Sequence, residues 1–173
     1  MWKKILIGLA IILIVIQFFR IDKNVPEYDA SMSLMSQAKV PQKVAALIQT
    51  SCYDCHSYET NYPWYSNIAP VSWFLENDIL EGREHLNFSI WESYKKIEKE
   101  HALLEGVTLV TKEEMPIKAY LWIHREARLT DQERNTITGW FEEKAQQLQE
   151  TDDKDQNEEE DENIEHDHSD HEH

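Results

Sequence analysis

Ser51-Cys52-Tyr53-Asp54-Cys55-His56-Ser57 is the stretch on which the reading of the whole chain turns. Cys-x-x-Cys-His is the attachment signature of a c-type haem. Its spacing has a chemical reason. Two thiols three positions apart lie about one helical turn apart, so Cys52 and Cys55 can each add to one of the two vinyl groups on a haem edge. The adjacent His56 then projects beneath the iron as an axial ligand. One turn of chain would hold the cofactor both covalently and by coordination.

Two other chemistries use a Cys-x-x-Cys pair: half of a zinc site, and a redox-active dithiol. The chain has two cysteines, so zinc sites built on three or four thiolates are excluded. A site of two cysteines and two histidines needs spaced histidines elsewhere, and the adjacency of Cys55 and His56 is poor geometry for it. A thioredoxin-like dithiol needs a βαβ context, whereas the apolar runs here have helical spacing.

Before the motif, Met1-Trp2-Lys3-Lys4 leads into an uncharged apolar run from Ile5 to Phe19. That run rises roughly 22 Å as a helix, short of the ~30 Å hydrocarbon core. Extended to Trp2 and Ile21 it reaches about 20 residues, with Lys3, Lys4 and Arg20 able to snorkel to the interfaces. No small-residue cleavage pattern follows it, so residues 1–21 are expected as an N-terminal transmembrane anchor rather than a cleaved signal peptide. Lys3 and Lys4 place the N-terminus in the cytoplasm. The rest of the chain then faces the periplasm or cell exterior, where c-type haem is attached. Residues 22–40 contain Pro26 and no clean period, and read as a linker.

From Pro41 the pattern becomes helical. Val44, Leu47, Ile48 and Ser51 share one helix face that runs into Cys52. Pro63 and Pro70 interrupt the aromatic stretch after the motif, and a second helix is expected over about 71–85 with Val71, Phe74, Leu75, Asp78 and Ile79 on one face. Ser89-Ile90-Trp91-Glu92 fits a capping box and predicts a third helix over about 90–104. Thr130-Asp131-Gln132-Glu133 fits another, opening a last helix over about 131–149 that buries Ile137, Trp140 and Phe141. The globular domain is thus 41–149.

The tail, 150–173, is acidic, with twelve acids and one Lys over 151–173. It has too little apolar surface to fold and is expected to be disordered. Its four histidines, His166, His168, His171 and His173, could hold a divalent metal weakly. The formal net charge of −16 makes the chain a poor nucleic-acid binder.

An iron with His56 on one face needs a ligand on the other. Met115, in Glu114-Met115-Pro116, is the leading candidate, because Pro116 keeps it out of a regular helix and an extended thioether can reach an iron. His85, His101 and His124 are the alternatives. Arg83, Arg125 and Arg128 are the nearest candidates for propionate partners.

A resemblance emerges from these residues taken together. Cys52 to Ser57, Tyr62-Pro63-Trp64-Tyr65-Ser66-Asn67-Ile68-Ala69-Pro70-Val71-Ser72-Trp73, Glu81 to Ser89, Glu114-Met115-Pro116, Tyr120, His124 and Leu129 to Trp140 give a chain that resembles a monohaem c-type cytochrome. More narrowly, it is similar to the bacterial haem-binding domain family. The resemblance implies an all-α, cytochrome c-like fold around one covalent haem c, with Cys52 and Cys55 as attachment points, His56 as proximal ligand and Met115 as distal ligand. The function expected is one-electron transfer at the outer face of the cytoplasmic membrane, to a redox partner protein the sequence does not name, with no catalytic residues. A haem-based sensor or ligand-binding module is the alternative, and a peroxidase-like enzyme using His101 or His124 as distal base a further one.

Overall fold

The computed structural model describes the backbone of residues 1–167 and the side chains of 1–150. Among the described residues every regular element is helical, as expected. The chain forms two compact units, the first Met1–Ser93 and the second beginning at Tyr94, so the segment 41–149 is divided rather than continuous.

The first unit opens with α1, Trp2–Val15, whose apolar side chains are almost all exposed. It does not continue as one helix to residue 21. The chain tightens into a 3₁₀ turn at Ile16–Phe18, and no helix among the described residues is long and apolar enough to cross a membrane. The reason lies in Gln17. Its side-chain amide donates to the Ala69 carbonyl at 2.9 Å and accepts from the Ala69 N–H at 3.1 Å. This reciprocal pair draws the chain out of the helical path.

Residues 22–40 do not behave as a free linker. Asp29 caps a 3₁₀ turn at Ala30–Met32, and Ser33 caps α2, Leu34–Gln37. Leu34 is completely buried, and both turns pack on the Phe88–Ser93 segment. Leu34 and Ala38 are the buried apolar residues of this short stretch, too few to show a period in the sequence.

The next elements follow the expected pattern. α3, Gln42–Ser51, buries Val44, Ile48 and Ser51. It breaks at Cys52, and α4, Tyr53–His56, is a separate single turn. α5, Val71–His85, has the expected bounds, and of its expected face Leu75, Asp78 and Ile79 turn inward to differing degrees. Ser72, Ile79 and Gly82 are buried, while Val71 and Phe74 are exposed. The capping box at Ser89 does not form. Phe88–Ser93 is 3₁₀ with a break at Ile90, and the third helix, α6, starts later, at Lys96–Thr111, with the Glu98 carboxylate accepting from the Lys95 N–H.

The second unit is built on α6 and α8, Asp131–Asp167. Arg134 donates to the Val110 carbonyl at 2.7 Å, Gly106 lies against the Phe141 ring, and Gln149 bonds Glu100. Rising numbers on one helix thus meet falling numbers on the other, so the pair is antiparallel. Leu103 and Val110 of α6 and Ile137, Trp140, Phe141 and Ala145 of α8 are buried. A Cβ at Gly106 would come 2.9 Å from the Phe141 ring, so glycine lets the helices approach. The second capping box forms as expected: Thr130 N–H donates to the Glu133 carboxylate, and Glu133 N–H to Thr130 Oγ1. The helical backbone of α8 continues to Asp167, where the sequence pattern leads to disorder from 150. Glu, Gln and Lys are good helix formers, and no Gly or Pro interrupts them. Of the tail histidines, His168, His171 and His173 lie outside the described residues.

Between the two long helices, α6 ends in a Schellman turn. Glu113 N–H donates to the Val110 carbonyl and Glu114 N–H to the Leu109 carbonyl. The left-handed residue this turn requires is Glu113, at φ 57°, where glycine is usual. α7, Lys118–Ile123, follows. Because an L side chain pays a steric cost in that conformation, Glu113→Gly should stabilise the protein by about 1 kcal/mol. Urea denaturation of the two proteins checks this, and an unchanged or lower midpoint in the variant would contradict it.

Candidate functional site

The Cys-x-x-Cys-His stretch forms one tight turn. Cys55 N–H and His56 N–H both donate to the Cys52 carbonyl, at 3.2 and 2.9 Å. The two thiols are therefore brought a turn apart, and both remain partly exposed and unbridged. Burial pushes the Cys52 thiol up to about 12, helped by Cys55. Burial also pushes Cys55 up to about 12, with the carboxylates of Asp54 and Asp78 adding to it and Arg83 opposing. Both groups are thus neutral thiols at physiological pH. A redox-active dithiol needs a lowered thiolate pKa, and this environment does the reverse. Among the described residues no cluster of three or more metal-binding side chains surrounds the pair to complete a zinc site.

α5 forms the wall against which the turn is set. Gly82 lies at the crossing, where an added Cβ would stand 3.0 Å from the Cys55 carbonyl oxygen and 3.2 Å from its Cβ. The helix can approach this closely because residue 82 has no side chain. Just beyond, α5 ends at His85 and frees the Leu86 carbonyl. His56 Nδ1 donates to that oxygen at 2.9 Å. The bond fixes the ring's orientation and places the proton on Nδ1, so the lone pair is on Nε2, the nitrogen a metal would take. Burial lowers the His56 pKa, against the opposing pull of the Leu86 and Gly82 carbonyls, and favours the neutral imidazole that can ligate. Phe88 stacks on Tyr53 with centroids 5.6 Å apart and tilts against His56 at 6.2 Å, closing the other side.

The loop after the motif is held by buried hydrogen bonds. Ser57 Oγ donates to the Tyr53 carbonyl and accepts from Glu59 N–H, and Ser89 Oγ accepts from Tyr58 N–H. Arg83 donates from Nε to the Ser57 carbonyl at 2.8 Å and from Nη2 to Thr60 Oγ1 at 2.9 Å, and its guanidinium lies over the Tyr58 ring. Arg83 thus clamps the loop that follows the haem motif. Arg128 likewise serves the Leu121 carbonyl. Asn87 and Ser89, which match a glycosylation sequon, are both buried.

His85 and His101 are exposed. Met115 and His124 belong to the second unit. Met115 is half-buried in the turn after α6, and its N–H donates to the Leu109 carbonyl at 3.2 Å, which ties down its backbone. His124 stacks on Tyr120 with centroids 4.1 Å apart, and its Nδ1 is 3.0 Å from Glu126 Oε1. The sequence reading missed Gly82, Leu86 and Phe88. Phe88 could pass for any core aromatic. Leu86 acts through its backbone, which leaves no trace in residue type.

A family model for the haem-binding domain matches residues 11–143. The chain belongs to the haem-binding domain family. Comparison with curated proteins and with solved structures gives no match. The donor set of this member fits the group: two unbridged thiols a turn apart, and a neutral imidazole with Nδ1 held by a backbone carbonyl. The match also begins well upstream of residue 41, in keeping with the packing of residues 17–38 on the first unit.

The crossing at Gly82 gives a direct test. Gly82→Val should force α5 off the Cys55 backbone at a cost of about 1–3 kcal/mol and lower the haem-to-protein ratio of purified protein. Glu84→Val, on an exposed position of the same helix, should leave that ratio unchanged. Equal haem content in Gly82→Val and wild type would contradict the role given to the crossing.

Proposed function

We propose that the protein is a membrane-anchored c-type haem protein that transfers single electrons on the outer face of the cytoplasmic membrane. Cys52 and Cys55 hold the haem as thioethers, His56 is the proximal ligand and Met115 the distal one. The observation that carries this reading is the 2.9 Å bond from His56 Nδ1 to the Leu86 carbonyl within the Cys-x-x-Cys-His turn. It prepares Nε2 for iron before any cofactor arrives. The haem, when bound, supplies the one-electron couple Fe(II)/Fe(III). The chain's part is to keep both ligands fixed in either state.

Met115 suits the distal role by its chemistry and its setting. It lies outside regular helix, its backbone is tied to the end of α6, and its soft thioether favours Fe(II) and so raises the potential relative to a second His. Protein ligands on both faces leave no site for a substrate, which supports a carrier over a sensor or an enzyme. The membrane reading rests on the apolar residues of α1 and its 3₁₀ extension, nearly all exposed. One observation favours a second choice of distal ligand: the Glu126 carboxylate beside His124 Nδ1 is the arrangement that orients metal-binding imidazoles.

The oxidised spectrum separates the two. A band near ~695 nm is expected for Met–Fe(III) ligation; Met115→Ala should abolish it and His124→Ala should leave it. A wild-type spectrum without the band, or a band that survives in Met115→Ala, would remove Met115 from the iron.

A further inference from the structure

The chain has two long stretches without charge, 5–19 and 60–75, in a protein of net charge −16. They lie far apart in sequence, and the fold of the first unit brings their ends together. Gln17 pairs reciprocally with the backbone of Ala69. The Trp73 indole N–H donates to the Phe19 carbonyl at 2.9 Å. Lys23 Nζ donates to Ser66 Oγ and Asn67 Oδ1, both at 2.8 Å, and lies over the Tyr62 ring. Asp22 N–H donates to the Glu76 carboxylate at 2.9 Å. Four separate contacts thus fasten the end of the apolar N-terminal segment to the corner that opens α5.

Around that corner the apolar side chains face outward. Phe18 is 83% exposed, Trp64 74% and Phe74 70%, and Phe19, Ile68 and Val71 are exposed beside them. Val71 and Phe74 are exposed in the first turn of α5, whose buried residues are Ser72, Ile79 and Gly82. These residues flank the very groups that make the fastening bonds, so the apolar surface of α1 continues onto the folded unit. Trp favours the interface between water and lipid, and Phe beside it inserts its ring on the apolar side of such a segment. Gly82, where the haem motif is set, lies eleven residues further along α5 than Val71, about 16 Å away along the helix axis.

Resting on the membrane reading above, we infer that Phe18, Phe19, Trp64, Ile68, Val71 and Phe74 form a collar that docks the first unit onto the lipid bilayer surface. The unit does not swing on a tether. The anchor and the domain move as one piece, with the opening of α5 against the lipid and the Cys52–His56 turn held off it at the far end of the helix. The haem would then keep a fixed height and orientation above the membrane, which restricts the partners that can reach it to those of matching height.

Spin labels on single introduced cysteines in the full-length haem protein, reconstituted in phosphatidylcholine vesicles, test this, with the parent chain's signal subtracted. Labels at Ile68→Cys and Phe74→Cys should be several-fold more accessible to oxygen than to a water-soluble nickel complex, relative to a label at Glu84→Cys at the distant end of α5. A label at Ile11→Cys reports the anchor itself. If Ile11 is in lipid while Ile68 and Phe74 match Glu84, the anchor stands and the collar is wrong. If Ile11 is also in water, the membrane reading fails and the collar with it.

Discussion

The contact on which the site depends is the approach of α5 to the backbone of Cys55, made possible by the missing side chain of Gly82. Everything the motif needs follows from that crossing. Because α5 lies so close and ends at His85, the Leu86 carbonyl falls within reach of His56 Nδ1. A single such hydrogen bond contributes about 1 kcal/mol to stability, yet its effect on the chemistry is larger, since it decides which ring nitrogen carries the lone pair. The same helix supplies Arg83, whose two charge-assisted bonds hold the outgoing loop. Helix, imidazole and loop are therefore one unit rather than three independent features.

The burial of the two thiols fits the same picture. A Cys-x-x-Cys pair can be tuned toward thiolate by cations and helix N-termini. Here the environment keeps the thiols neutral, and the imidazole neutral as well. A site of uncharged groups beside stacked aromatics suits a large apolar cofactor better than a bare metal ion, which would have to draw protons off the thiols.

Much of this was legible in the sequence where local rules govern. Pro41 and Pro70 marked helix starts, Thr130 and Glu133 formed the cap their spacing suggests, and Cys52, Cys55 and His56 fell on one turn. The departures share a cause, namely side chains or backbone groups acting over long sequence separations. Gln17 ends the apolar helix because Ala69 offers both a donor and an acceptor. Leu34 makes a core residue of what reads as a linker. Val71 and Phe74 are exposed because they lie in the first turn of α5, well before Gly82 brings the helix against the motif. Glu113 occupies a conformation that the sequence would assign to glycine, so the turn leading to Met115 left no signal.

The central claim is that this turn holds a haem by covalent bonds. The most direct measurement is the intact mass of the full-length protein after unfolding and removal of non-covalent ligands. The account predicts a chain heavier by one haem, with the addition lost when Cys52 and Cys55 are both replaced by alanine. A chain of unmodified mass, from cells that attach haem to other c-type proteins, would contradict it.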